Sequence, residues 1–166
     1  YTMWGRVYKL VLDKNNMFSG KLEIIAEGDS NPGNDLINPD NLCVTENYVY
    51  IQEDGDSYYP GANHDSYIWQ YSMATKSYKP WLNMKHNRGN AEWFNLVDQS
   101  GNLTKFGSWE YGAMIDVSDL VGIPGTFAVN IHPHTWQKPE FQNADGSGTQ
   151  SNKEGGQIVL IKNVQR

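Results

Sequence analysis

The sequence predicts an all-β protein made of short antiparallel strands. Three observations carry that prediction. Several segments of five to nine residues alternate apolar and polar side chains with a period of two, as half-buried strands do. Turn-forming clusters of Gly, Pro, Asn and Asp separate these segments. The composition is rich in the aromatics and glycines that sheets and turns use: aromatic residues make up 13% of the 166, alongside 16 Gly and 7 Pro.

The first alternating segment is 4–12, which sets Val7, Lys9 and Val11 on one face and Tyr8, Leu10 and Leu12 on the other, before Asp13-Lys14-Asn15-Asn16 breaks the run. A second strand is expected over Lys21 to Ala26. The loop that follows holds Gly28, Asn31-Pro32-Gly33-Asn34 and Asn38-Pro39, none of which favours regular structure. Leu42 to Thr45 and Tyr48 to Gln52, joined by Glu46-Asn47, have the spacing of a tight hairpin. Ser66 to Met73 turns at Ala74-Thr75-Lys76 into Ser77 to Leu82, a second hairpin.

Four short strands over about 40 residues match the length of one propeller blade, and a sandwich shares that spacing. The stretch 83–107 reads as a long loop or insertion, with a short helix near Glu92 to Leu96. Trp109 to Val117 and Gly125 to Ile131 read as strands separated by 118–122. Gln137 to Glu154 is a polar excursion and Gln157 to Asn163 a terminal strand. The chain thus reads as a single all-β region over 1–166.

The formal net charge is −6, and no run of Lys or Arg exceeds a pair. Phosphate backbones require concentrated positive charge, so nucleic acid is not the expected partner. No apolar run approaches the roughly 18 residues of a membrane-spanning helix. The single cysteine, Cys43, lies in an apolar stretch and reads as an inert core thiol; it allows neither a disulfide framework nor a cysteine zinc site.

Candidate chemistry concentrates in three places. Glu53-Asp54-Gly55-Asp56 offers oxygen ligands or, more simply, a solvated Asp-Gly turn. Glu110 is a carboxylate in a strand otherwise apolar or small, where it needs a partner if buried or faces water at an edge. His132 and His134 have the i, i+2 spacing that puts both imidazoles on one face of a strand, and Pro133 between them marks a strand end. His64 and His86 have no such context and are expected in surface loops. Asn102-Leu103-Thr104 fits the N-glycosylation pattern.

These motifs occur in an informative order. Asn38-Pro39-Asp40-Asn41-Leu42-Cys43-Val44, a hairpin, and Tyr50-Ile51-Gln52-Glu53-Asp54-Gly55-Asp56 precede Trp109-Glu110-Tyr111-Gly112 and Phe127-Ala128-Val129-Asn130-Ile131-His132-Pro133-His134. This colinear set, over about 38–136, resembles the C-terminal blades of the PhoX-type alkaline phosphatase family. His132-Pro133-His134 departs from the family's Gln-His-Pro-like ending, and Cys43 does not match the cysteine that the family places near its metals.

The resemblance implies a portion of an antiparallel β-propeller, completed by an N-terminal remainder that is either a separate chain or a missing segment. It also implies a secreted, periplasmic or cell-surface setting. It implies calcium, with a ferric ion as a further candidate, held by Asp40, Asn41, Glu53, Asp54, Asp56 and Glu110. Glu110, His132 and Arg88 would act on a small phosphate ester, with the metal assisting hydrolysis. The alternative is a non-catalytic extracellular module that uses calcium for stability, with carbohydrate binding by its many Trp and Tyr residues as a variant.

Overall fold

The computed structural model describes residues 3–54, 61–84, 109–134 and 155–166. Nine strands and one short helix fill these stretches: β1 (Arg6–Leu12), β2 (Gly20–Glu27), β3 (Pro39–Val44), β4 (Tyr48–Glu53), β5 (Tyr67–Ser72), β6 (Ser77–Asn83), β7 (Trp109–Asp116), α1 (Ser118–Val121), β8 (Phe127–Pro133) and β9 (Gln157–Ile161). All pairings are antiparallel. They form a two-stranded ribbon β1-β2, a four-stranded sheet β3-β4-β5-β6 and a three-stranded sheet β7-β8-β9. None of the three closes on itself. The all-β, antiparallel expectation holds, and the 42–82 region is one four-stranded sheet.

The strand alternation explains the layering. Val49 and Ile51 of β4, with Trp69 and Tyr71 of β5, point to one side and pack with Val7, Ala26 and Leu36 beneath the ribbon. Tyr50 and Ile68 point to the other side and pack with Cys43, Met84, Tyr111, Met114, Phe127 and Val129. The four-stranded sheet is therefore covered on both faces. Each of these large side chains contributes roughly 1.5–3 kcal/mol by leaving water.

The C-terminal tail ties the layers together. Val164 lies in the second core and donates its N–H to Gly125 O at 3.0 Å. Tyr50 Oη donates to Gln165 O at 2.8 Å, and Asn47 Nδ2 to Arg166 O at 2.7 Å. Cys43 is buried and free, as expected, and burial pushes its thiol pKa up.

The two outer layers keep apolar side chains in solvent. Tyr8 and Leu10 of β1, paired with Ile24 and Leu22 of β2, are all exposed, as are Ile115, Ile158 and Leu160 of the three-stranded sheet. Among the described residues no helix is long and apolar enough to cross a membrane. The expected helix near Glu92, the polar excursion after Gln137, the Asn102 acceptor, His86, Arg88 and Asp56 lie outside the described residues.

Candidate acid and imidazole site

β7 and β8 build the site by their register. Glu110 at the start of β7 stands opposite His132 near the end of β8, while Trp109 stands opposite the buried Pro133 on the other face. His134, two residues beyond His132, returns to the Glu110 side. Glu110 Oε1 lies 3.6 Å from His132 Nδ1 and 3.4 Å from His134 Nε2. Each imidazole is 47% exposed and the Glu110 side chain 19%, so the pair of rings faces outward from a half-sheltered carboxylate.

A neighbouring sheet contributes too. Asp54, just after β4, comes within hydrogen-bond reach of Glu110, a contact in which a protonated Asp54 donates to the Glu110 carboxylate. Asn38, in the left-handed region at φ 45, fixes Asp54 by accepting its N–H at 3.0 Å and donating Nδ2 to its carbonyl at 3.1 Å. Ser66 Oγ, at the entry to β5, donates to the carbonyl of Trp109 and so holds the start of β7 against the four-stranded sheet. The hydrogen bond from His134 holds the Glu110 pKa down to about 2, with Asp54 and the charges of His134 and His132 adding to it against the opposing effect of burial.

Glu53, one residue earlier, faces a different environment. It is fully buried. Its Oε1 accepts the Ile37 N–H and the Trp69 indole N–H, and its Oε2 accepts the Tyr67 N–H, all at 2.7 Å. Burial pushes its pKa up to about 8, although those three donors pull it down. The solvated-turn expectation thus fails at Glu53. This carboxylate terminates three N–H groups that would otherwise be buried without an acceptor.

His64 also departs from expectation. The surface-loop reading is overturned: the residue is 8% exposed. Its loop folds back on the 33–35 turn, with Asn63 N donating to Gly33 O at 2.9 Å. The His64 ring nitrogens then meet Asp65 O at 2.9 Å and Asp35 O at 3.1 Å. The ring stacks on Tyr67 with centroids 4.1 Å apart, and Nδ1 lies 3.7 Å from Glu53 Oε2. No periodicity marks such a residue, because a loop histidine is buried by tertiary folding alone.

Of the residues proposed as metal ligands, Asp54 and Glu110 are brought together, and Glu53 is turned into the adjacent layer. Asn41 donates to its neighbour Asp40 on β3, where Asp40 is exposed. Among the described residues no three His, Cys, Asp or Glu side chains are disposed to hold one metal ion. Calcium takes six to eight oxygens, whereas this cluster offers two carboxylates and two imidazoles. The described residues by themselves do not fit a calcium cage.

Two surface cavities, of about 590 and 520 Å³, lie elsewhere, the first lined by Trp69, Tyr78, Asp35 and Lys76 among others, the second by Glu46, Asp116 and Arg166. Trp4 and Trp69 are buried, and Trp81 and Trp109 pack against the second core, so these aromatics serve the interior. Fold and site together define an all-β protein of stacked antiparallel sheets with a carboxylate-imidazole cluster at one sheet end. No family model, curated protein or solved structure matches the chain.

Proposed function

We propose that this chain is a segment of a PhoX-like β-propeller acting outside the cytoplasm, whose Glu110 cluster takes part in phosphomonoester hydrolysis. The supporting observation is the convergence of Glu110, His132 and His134 from one sheet with Asp54 from the next. Residues some 80 positions apart in the chain are gathered at one end of neighbouring layers, and they come from the motifs that carry the resemblance.

In this reading Glu110 stays ionised and holds two imidazoles with their outer edges in solvent. A protonated His134 there would offer positive charge to a phosphoryl group and protonate the departing alkoxide. A metal ion held in part by Glu110 and Asp54 would supply Lewis-acid polarisation of the phosphoryl oxygen and an activated water. Its remaining ligands would come from residues beyond this cluster.

The partner is the rest of the propeller. The ribbon β1-β2 already packs one face on the four-stranded sheet, and its other face exposes Tyr8, Leu10, Leu22 and Ile24. The outer face of β7-β9 exposes Ile115, Ile158 and Leu160. A further apolar-faced sheet, stacked as these three are, would cover the ribbon, while the face of β7-β9 that carries Glu110 stays open.

The test is metal analysis of the intact protein with turnover of p-nitrophenyl phosphate before and after chelation. The reading expects bound metal, loss of turnover with chelator, and a drop of at least about 100-fold for Glu110→Gln. Turnover indifferent to chelation, or an intact protein without metal, rejects it.

A further inference from the structure

The local backbone of β7 is built around Asn130 of β8. Tyr111 pairs with Ile131 and Met114 with Val129, so Gly112 and Ala113 of β7 together oppose the single residue Asn130 of β8. This is a β-bulge, a device that re-aims side chains and recurs beside reactive sites. Gly112 is buried, and a Cβ at that position would collide with the Nδ2, Oδ1 and Cγ atoms of Asn130. The missing side chain is thus the space that the Asn130 amide occupies.

From that space the amide reaches along the strand. Asn130 is two residues before His132 and on the same face, and its Nδ2 lies against His132 Nε2. An amide N–H₂ only donates, so the nitrogen it meets is a bare acceptor. The neutral His132 ring then carries its proton on Nδ1, the atom that faces Glu110 Oε1 at 3.6 Å.

We infer that Asn130 is a positioning residue that fixes the tautomer of His132, with the Gly112–Ala113 bulge as the opening that lets it do so. The sequence Asn130–His132–Glu110 forms a directed line in which each donor faces an acceptor. Its purpose rests on the reading of the Glu110 cluster as the reacting centre. The tautomer does not, and the two can be tested apart.

Two-bond ¹⁵N–¹H correlation spectra of the imidazoles, taken on the full chain at roughly pH 8 where an ordinary histidine is neutral, distinguish the tautomers. Wild type is expected to hold His132 as Nδ1–H. Asn130→Asp keeps the shape but only accepts, and should convert His132 to Nε2–H. Asn130→Ala should leave a mixture of the two, and Gly112→Ala should do the same by displacing the amide. A wild-type His132 in the Nε2–H form, or one that all three variants leave unchanged, overturns the inference, and the wild-type spectrum decides even where a variant does not fold.

In the intact protein, Asn130→Ala should lower kcat about 10-fold with KM held, the mark of a group that orients a reacting residue. The Nδ1–H tautomer together with no phosphate turnover overturns the functional reading and leaves the positioning inference standing. Turnover together with an Nε2–H ring does the reverse.

Discussion

Glu53 and Glu110 are both carboxylates at the ends of neighbouring sheets, and the structure treats them in opposite ways. Glu53 is enclosed and surrounded by N–H groups from three segments, and its pKa rises to about 8. Glu110 is half-sheltered, faces two imidazoles and Asp54, and its pKa falls to about 2. Desolvation governs the first, and hydrogen bonds and charge from His134 and its neighbours govern the second. The difference separates an internal tie, which holds the loop 35–38 and β5 to the end of β4, from a half-sheltered group whose imidazole partners face solvent.

Removing the internal tie should have the largest effect. Glu53→Ala leaves the N–H groups of Ile37, Tyr67 and Trp69 without an acceptor, at a cost of about 4 kcal/mol. Glu53→Gln should cost less, since its carbonyl still accepts two of the three while its amide faces a donor. Urea unfolding followed by Trp fluorescence measures both, and a loss below about 1 kcal/mol for the alanine variant would show that Glu53 is not a tie at all.

The segment that supplies the Ile37 donor is next in rank. Gly28 sits so close to Leu36 that a Cβ would overlap the Leu36 carbonyl and lie 2.7 Å from Trp4 Cβ. Gly28→Ala should therefore push the 35–38 segment away from Glu53 and cost about 2–3 kcal/mol. The same substitution at Gly156, where a Cβ would meet no atom of the described residues within 4 Å, serves as the control and should be near neutral. Equal effects at the two positions would remove Gly28 from the account.

Titration distinguishes the two carboxylates by sign. The folded pKa of Glu53 is raised from 4.5, so its contribution is fully present below that value and is lost as pH rises through about 8. The folded pKa of Glu110 is lowered from 4.5, so its contribution is present above that value and is lost as pH falls through about 2. Thermal melts across this range should show Glu53→Gln flattening the alkaline limb alone and Glu110→Gln the acid limb alone. Variants that alter the same limb would erase the distinction.

Much of this was legible in the sequence, and the reason is physical. Strand alternation and turn residues are local, so the hairpin about Glu46-Asn47, the β5-β6 hairpin and the His132/His134 pairing followed from spacing. The partnership of Glu110 with both histidines was not legible, because it depends on the β7-β8 register, which the bulge between Tyr111 and Met114 offsets. Nor were the settings of Glu53 and His64. Whether an acidic residue in Glu53-Asp54 faces water or a ring of N–H donors depends on the loop 28–38 and on the layer beneath it, which no local pattern records. Asn130 was hidden for a similar reason: a bulge changes the count of facing residues only once two strands have paired.

The smallest effect on stability belongs to the outward group. Glu110 leaves no buried N–H orphaned, because its partners are half-exposed imidazoles that water can serve. Glu110→Gln should therefore change the unfolding free energy by about 1–2 kcal/mol at neutral pH, the contribution of its lowered pKa reduced by solvent screening. It should nonetheless alter the imidazole NMR signals of His132 and His134 together, since both rings face the same carboxylate oxygen. A stability loss as large as that of Glu53→Ala would make Glu110 a second internal tie, and this end of the sheet would then be a structural joint rather than one held open for chemistry.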